Sequence, residues 1–251
     1  MTKICDIVDF CESFAPFDSA ANFDNVGLLV GSESTQVTKA LLALDITNEV
    51  VAEAKEKGAQ LIISHHPVIF NPLKNMDSKS VPYLLAQKSL SALCLHTNLD
   101  IAWDTGVNLC LANALELQNI TFYEGEFLVS GTLKEQLTAE SFAKFAKEKL
   151  GAKAVTCTVK DKLINNIFIC SGAGGSEFMK AVELGADCFI TGEAHHHNYL
   201  ESIHENVSLI VAGHFETEDI VINPLKEKLQ KEFTEVEFIK SEKLTSPLYF
   251  V

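Results

Sequence analysis

Two short apolar runs with a helix between them, and almost no chain to spare at either join, restrict this sequence more than any other feature. Lys39 to Asp45 (Lys-Ala-Leu-Leu-Ala-Leu-Asp) reads as a buried strand, Asn48 to Lys57 as a helix punctuated by Gly58, and Leu61 to Ser64 as the next buried strand. Strand, helix and strand in this order dictate parallel neighbours in a sheet flanked by helices. The pattern continues with a helix over Pro82 to Lys88, a strand over Ser91 to His96 and a helix over Val107 to Leu115. Before it stand a helix over Ile4 to Phe14, ended by Pro16, and a strand over Asn25 to Val30. The second half predicts a lysine-faced helix over Ala139 to Leu150 and strands over Ala154 to Val159, Asn166 to Cys170 and Cys188 to Thr191. It also predicts a helix over Glu177 to Leu184, and a helix from Pro224 to Phe233 before a last strand at Glu237 to Ile239. The fold class is α/β with mainly parallel sheets.

The string Lys57-Gly58-Ala59-Gln60 running into Leu61-Ile62-Ile63-Ser64 and two histidines is echoed by Leu184-Gly185-Ala186-Asp187 running into Cys188-Phe189-Ile190-Thr191. The echo reads either as two related lobes or as a turn common to α/β units. No Ser/Gly/Pro-rich linker separates the halves, so closely packed lobes with one cleft are expected.

Composition excludes more than it assigns. The formal charge is −14 and all 20 basic residues are lysine. A chain without arginine has no guanidinium fork for bidentate phosphate or guanine contacts, and its acidic surface repels a polyanion, so nucleic acid is an unlikely partner. No apolar stretch approaches the ~18 residues that span a bilayer, and the N-terminus lacks the marks of a signal peptide, so no membrane partner and a cytoplasmic location are expected. The seven cysteines are scattered, odd in number and free of any Cys-x-x-Cys pair, which fits reduced core residues.

The chemistry gathers where the strands end. His65 and His66 leave the run Leu61 to Ser64 and meet Pro67. His96 closes Ala92 to Leu95, with Asp100 four residues on. His214 and Glu218 follow the run Leu209 to Ala212 at i, i+4 spacing, which puts both on one face if a helix begins there. Ligands collect at the carboxyl ends of strands in parallel α/β sheets, so tips distant in sequence can converge. Imidazole and carboxylate without thiolate suit zinc, iron, manganese or nickel, and the donors outnumber what one ion takes, so two divalent ions per subunit are expected.

The strings Ser64-His65-His66-Pro67, His96-Thr97-Asn98-Leu99-Asp100, Thr191-Gly192-Glu193 and Gly213-His214-Phe215-Glu216-Thr217-Glu218 resemble the Nif-three-like family (NGG one-interacting factor three) in order and over nearly the whole chain. Its bacterial members carry the name GTP cyclohydrolase 1 type 2 homologue, and this length resembles the short form. The resemblance implies a pair of similar three-layer α/β lobes, here about 1–125 with 225–251 and 126–224, around a dinuclear metal site in the cleft between them. It implies His65, His66, Asp100, His214 and Glu218 as the metal ligands, with Glu218 the bridge, and His96 beside the metals. It also implies a toroidal homohexamer, with a small molecule or nucleotide as substrate.

Two ions can supply hydroxide at neutral pH and polarise a phosphoryl or carbonyl oxygen, which makes a metal-dependent hydrolase the enzymatic reading; no protein nucleophile is then required. His96, Glu193 or His197 would move protons. The ring opening implied by the family name would use the same hydroxide against the purine C8. The rival reading is a metal store, chaperone or assembly platform without turnover. Ser171 to Ser176 (Ser-Gly-Ala-Gly-Gly-Ser) is either a tight turn or an anion cradle, and His195-His196-His197 is either a cleft lining or a polar loop.

Overall fold

In the first unit, formed by Met1–Thr105 and Ile222–Thr245, β2 (Lys39–Ala43), β3 (Leu61–Ser64) and β4 (Ser91–Cys94) lie side by side and parallel. The computed structural model describes residues 1–251. β11 (Glu237–Lys240) adds in parallel outside β2, and β1 (Gly27–Val30) closes the other edge antiparallel to β4, giving the order β1-β4-β3-β2-β11. Leu41, Leu42, Leu61, Ile62, Ile63 and Leu93 are all fully buried, so the central strands are covered on both faces, as their unbroken apolar runs require. On one side Leu41, Ile62 and Ala92 pack with Val50, Val51 and Ala54 of α2 (Asn48–Glu56) and Leu85 of α3 (Val81–Lys88). α2 starts where it does because the Thr47 hydroxyl accepts from the Val50 N–H at 3.3 Å, satisfying one of the orphan donors of the first turn.

The second unit, Gly106–Val221 with Ser246–Val251, holds a six-stranded sheet in the order β5-β6-β8-β9-β10-β7. Its centre is β8 (Leu163–Cys170), β9 (Cys188–Thr191) and β10 (Ser208–Val211), mutually parallel. Side chains alternate across it. Ile167, Ile169, Cys188, Ile190 and Ile210 meet Phe142 and Ala146 of α6 (Ala139–Leu150) on one face. Phe168, Phe189 and Leu209 meet Phe178 and Ala181 of α7 (Phe178–Glu183) on the other. Two separate cores on opposite faces of one sheet make three layers, the outcome of period-2 alternation in strands apolar on both sides. α6 is bounded by the Thr138 hydroxyl, which accepts from Ser141 N–H at 3.2 Å, and by Gly151 in the left-handed conformation at φ 63°.

Three expectations are corrected here. The second sheet is mixed, not mainly parallel, because β5 (Gln118–Phe122) pairs antiparallel with β6 (Val129–Thr138), β6 with β8, and β7 (Thr156–Cys157) with β10. The similarity of the two sheets is therefore confined to their parallel centres. The units divide between residues 105 and 106 and between 221 and 222, where the sequence suggested 125 and 224. α5 (Val107–Ala114) and β5 go with the second unit because Leu111, Leu115 and Leu117 enter its core and β5 hydrogen-bonds to its sheet. No helix is long and apolar enough to cross a membrane.

Candidate metal centre

The strand ends of the first unit bring three imidazoles together. His65 and His66 follow β3 directly, and His96 follows Cys94 and Leu95 at the end of β4, which is parallel to β3. One ring nitrogen from each lies within 4.8 Å of the other two, and the ring centroids are 5.1 to 5.5 Å apart. His65 is buried, while His66 and His96 are partly exposed.

In each ring Nδ1 is engaged by an acceptor. His65 Nδ1 donates to the Leu95 carbonyl at 2.9 Å. His66 Nδ1 donates to Asp45 Oδ1 at 2.7 Å, and His96 Nδ1 to Asp24 Oδ1 at 2.8 Å. A carbonyl or ionised carboxylate only accepts, so the proton of each neutral ring sits on Nδ1 and the lone pair on Nε2. Outer partners of this kind fix the tautomer and aim of metal-binding histidines. Asp24 is itself held: Thr97 N–H and hydroxyl donate to Oδ2 at 3.0 and 2.5 Å. Burial works against its charge, yet the hydrogen bonds from His96 and Thr97 outweigh it and hold the carboxyl well below the usual range, so Asp24 is an acceptor at neutral pH. Asp100, at the end of the short helix α4 (Thr97–Asp100), places Oδ1 3.5 Å from His65 Nε2.

The second unit builds a smaller set in the same way. α9 (His214–Glu218) starts after β10, and the i, i+4 spacing puts His214 Nε2 3.0 Å from Glu218 Oε2. Glu193 Oε1 accepts from His214 Nδ1 at 2.9 Å. Thr191-Gly192-Glu193 thus supplies the orienting carboxylate for His214. Glu218 is buried, and Gly172 is what leaves it room: a Cβ at that residue would lie 1.9 Å from Glu218 Oε1 and 3.2 Å from His214 Nε2. The Ser171 to Ser176 loop therefore acts here as a close-approach turn, with Gly172 at φ 56°. His195 and His197 are exposed and stack on each other at 5.6 Å where α8 (His196–Glu205) begins.

The sequence reading missed Asp24, Asp45 and Gly172. For Asp45 the signal was present: Ala43 pairs with Ser64 in parallel register, so Asp45 and His66 stand level, each two residues beyond its strand.

The donor sets fit a transition-metal or zinc ion: each joins imidazole nitrogens alone or with carboxylate oxygens, and none includes a cysteine. Residues 2–247 match the Duf34/NIF3 (NGG1p interacting factor 3) family. The chain belongs to the Duf34/NIF3 family. A relative from Clostridium perfringens, named GTP cyclohydrolase 1 type 2 homolog, is 32% identical over 99% of this chain and 100% of its own. NIF3-like protein 1 of Drosophila melanogaster is 32% identical over 86% of this chain and 78% of its own. A crystal structure of a Staphylococcus aureus protein superposes with a TM-score of 0.93 at 29% identity, covering 100% of this chain and 99% of that one. In this member of the family a mixed α/β fold with two sheets carries residue clusters able to hold a metal ion.

Proposed function

We propose that the chain binds two divalent ions per subunit through His65, His66, Asp100, His214 and Glu218 and uses them for hydrolysis. The observation that carries the reading is the Nδ1 engagement of His65, His66 and His96, which turns three Nε2 lone pairs to one place at the strand ends. Three imidazoles that merely filled a surface would have no reason to be oriented alike by three separate acceptors.

A divalent ion there would supply Lewis acidity and lower the pKa of water toward neutrality. The chain's own residues do the rest. Asp24, Asp45 and Glu193 hold the imidazoles in the ligating tautomer, Asp100 and Glu218 add charge to match a cation, and His96 at the rim can take up or release a proton. A cationic centre is what an acidic chain without arginine can offer to an electron-rich oxygen. The names of the relatives point to purine ring opening. The toroidal homohexamer and cytoplasmic location belong to the same reading, with light scattering as the measure of assembly.

The test is metal content. Elemental analysis of purified protein should give about two ions per chain, falling in His65→Ala, His214→Ala and Glu218→Ala; unchanged stoichiometry in these variants would remove the ligand assignment. A screen of the metal-loaded protein against nucleotides, phosphoesters and cyclic amides, with Glu218→Ala as control, then separates hydrolysis from storage. Equal turnover by that control would dismiss the hydrolytic role.

A further inference from the structure

Two exposed phenylalanine rings run on from His96, Phe70 next to it and Phe23 next to Phe70. Phe23 is 67% exposed and Phe70 is 44% exposed. Phe70 meets His96 edge-on at 6.3 Å between centroids, and Phe23 lies 6.3 Å from Phe70 at a 44° tilt, so the rings form a continuous line leading away from the imidazoles. The line is anchored. Asn25 Nδ2 donates to the Ile69 carbonyl at 2.5 Å, Ala21 N–H donates to the Thr97 hydroxyl at 2.9 Å, and Asp24 is tied to His96 and Thr97. The segments that carry Phe23 and Phe70 are thus pinned to each other and to the element that carries His96.

Leaving two aromatic rings in water in a fixed arrangement costs burial energy that a core position would have gained. Their size decides what can cover them. Two side chains offer at most a few hundred Å², well short of the ~1,000 Å² of a stable protein interface and ample for one small molecule.

Resting on the metal-centre reading above, we propose that Phe23 and Phe70 are a stacking wall for a flat nitrogen heterocycle, whose edge nitrogen or carbonyl oxygen is thereby presented to the His65, His66 and His96 set. The Phe70 and His96 centroids are 6.3 Å apart, within the span of a fused two-ring system, so stacking on Phe70 and contact with His96 are compatible in one bound molecule.

The experiment titrates adenine, guanosine, pterin and quinoxaline, with cyclohexanol as the apolar but non-flat control, into zinc-loaded and metal-free protein, read by saturation-transfer NMR and calorimetry. At least one heterocycle should bind and cyclohexanol should not. Phe70→Ala and Phe23→Ala should weaken that binding about five- to a hundredfold, the range for loss of one aromatic platform. Phe70→Trp should keep it and Phe70→Leu should not, while zinc content stays at the wild-type level in all four variants. Binding of none of the probes, equal binding by Phe70→Leu, or a changed molar mass of the Phe variants in light scattering would overturn the proposal. Failure of the metal reading shows separately as absence of zinc from the wild-type protein, and the metal-free titration still decides the stacking wall.

Discussion

Replacing Gly172 by alanine separates two effects that a glycine substitution usually mixes. The first is backbone strain: Gly172 sits at φ 56°, where an L residue with a Cβ costs about 1 kcal/mol. The second is collision. The new Cβ would lie 1.9 Å from Glu218 Oε1 and 2.8 Å from its Cδ, so the carboxylate must retreat by about 1.5 Å to reach ordinary van der Waals distance. Glu218 is only 4% exposed and its neighbour Thr217 is tied to Gly172 N–H at 3.1 Å, so there is little space for the retreat. If Glu218 is the metal ligand proposed above, it must be held within about 0.5 Å of its place, and displacement three times that large should weaken metal binding about 10- to 100-fold. Gly151→Ala is the control: φ is 63° there, but nothing lies within 4 Å of the added methyl. Gly151→Ala should lose about 1 kcal/mol in urea unfolding, and Gly172→Ala about 2–4 kcal/mol because the collision adds to the backbone strain. In competition with a chromophoric zinc chelator only Gly172→Ala should lose affinity. Wild-type affinity in Gly172→Ala, or an equal loss in Gly151→Ala, would refute the reasoning.

The outer carboxylates should show the same coupling without the strain. Asp45→Ala removes the acceptor of His66 Nδ1 at a half-exposed position, so zinc affinity should fall about 10- to 100-fold with urea stability nearly unchanged; retention of full affinity would count against the tautomer argument. Away from the histidines, Glu53 is buried. Burial opposes its charge, but Lys57, Ser241 and the Glu242 N–H more than compensate and hold its pKa below the usual 4.5. Its contribution is therefore present above about pH 4.5 and lost as pH falls through the lowered value, so Glu53→Gln should flatten the decline of the urea midpoint between pH 6 and pH 3. An unchanged acid limb would assign that decline to other groups. Burial pushes the Cys11 thiol up to about 12, with Lys228 opposing weakly, and raises Cys94 and Cys188 well above the ordinary value. These three should resist alkylation at pH 8 until denaturant is added, and mass spectrometry of labelled native protein would reveal the contrary.

How far the sequence leads depends on whether a residue's role is local. The parallel strands β2, β3, β4, β9 and β10 were legible because each is an apolar run ended by polar or small residues, and burial on both faces is what such a run demands. β5 was not, since its residues are almost all exposed and carry no alternation, and β6 is buried only in its first three residues before a register shift toward Leu137. Those edge strands are held by hydrogen bonds to a neighbour, and pairing partners leave little trace in composition. The histidines declared themselves by type and by position at strand ends. Asp24 did not, because it acts on His96 across 72 positions of chain from a loop with no pattern of its own. Phe23 and Phe70 were equally silent, since an exposed phenylalanine in a loop has the same letter whether it packs, aggregates or waits for a ligand.

The strand that completes the first sheet, β11, is drawn from residues 237–240, while every strand of the second sheet lies between residues 118 and 211. During synthesis the second sheet therefore has all its strands before the first has its last. Until then β2 leaves the translating chain with an open apolar edge, and Leu41 and Leu42 lack their partners Ile239 and Lys240. Ribosome-bound chains halted before residue 237 are where a chaperone would find this protein most in need of shelter.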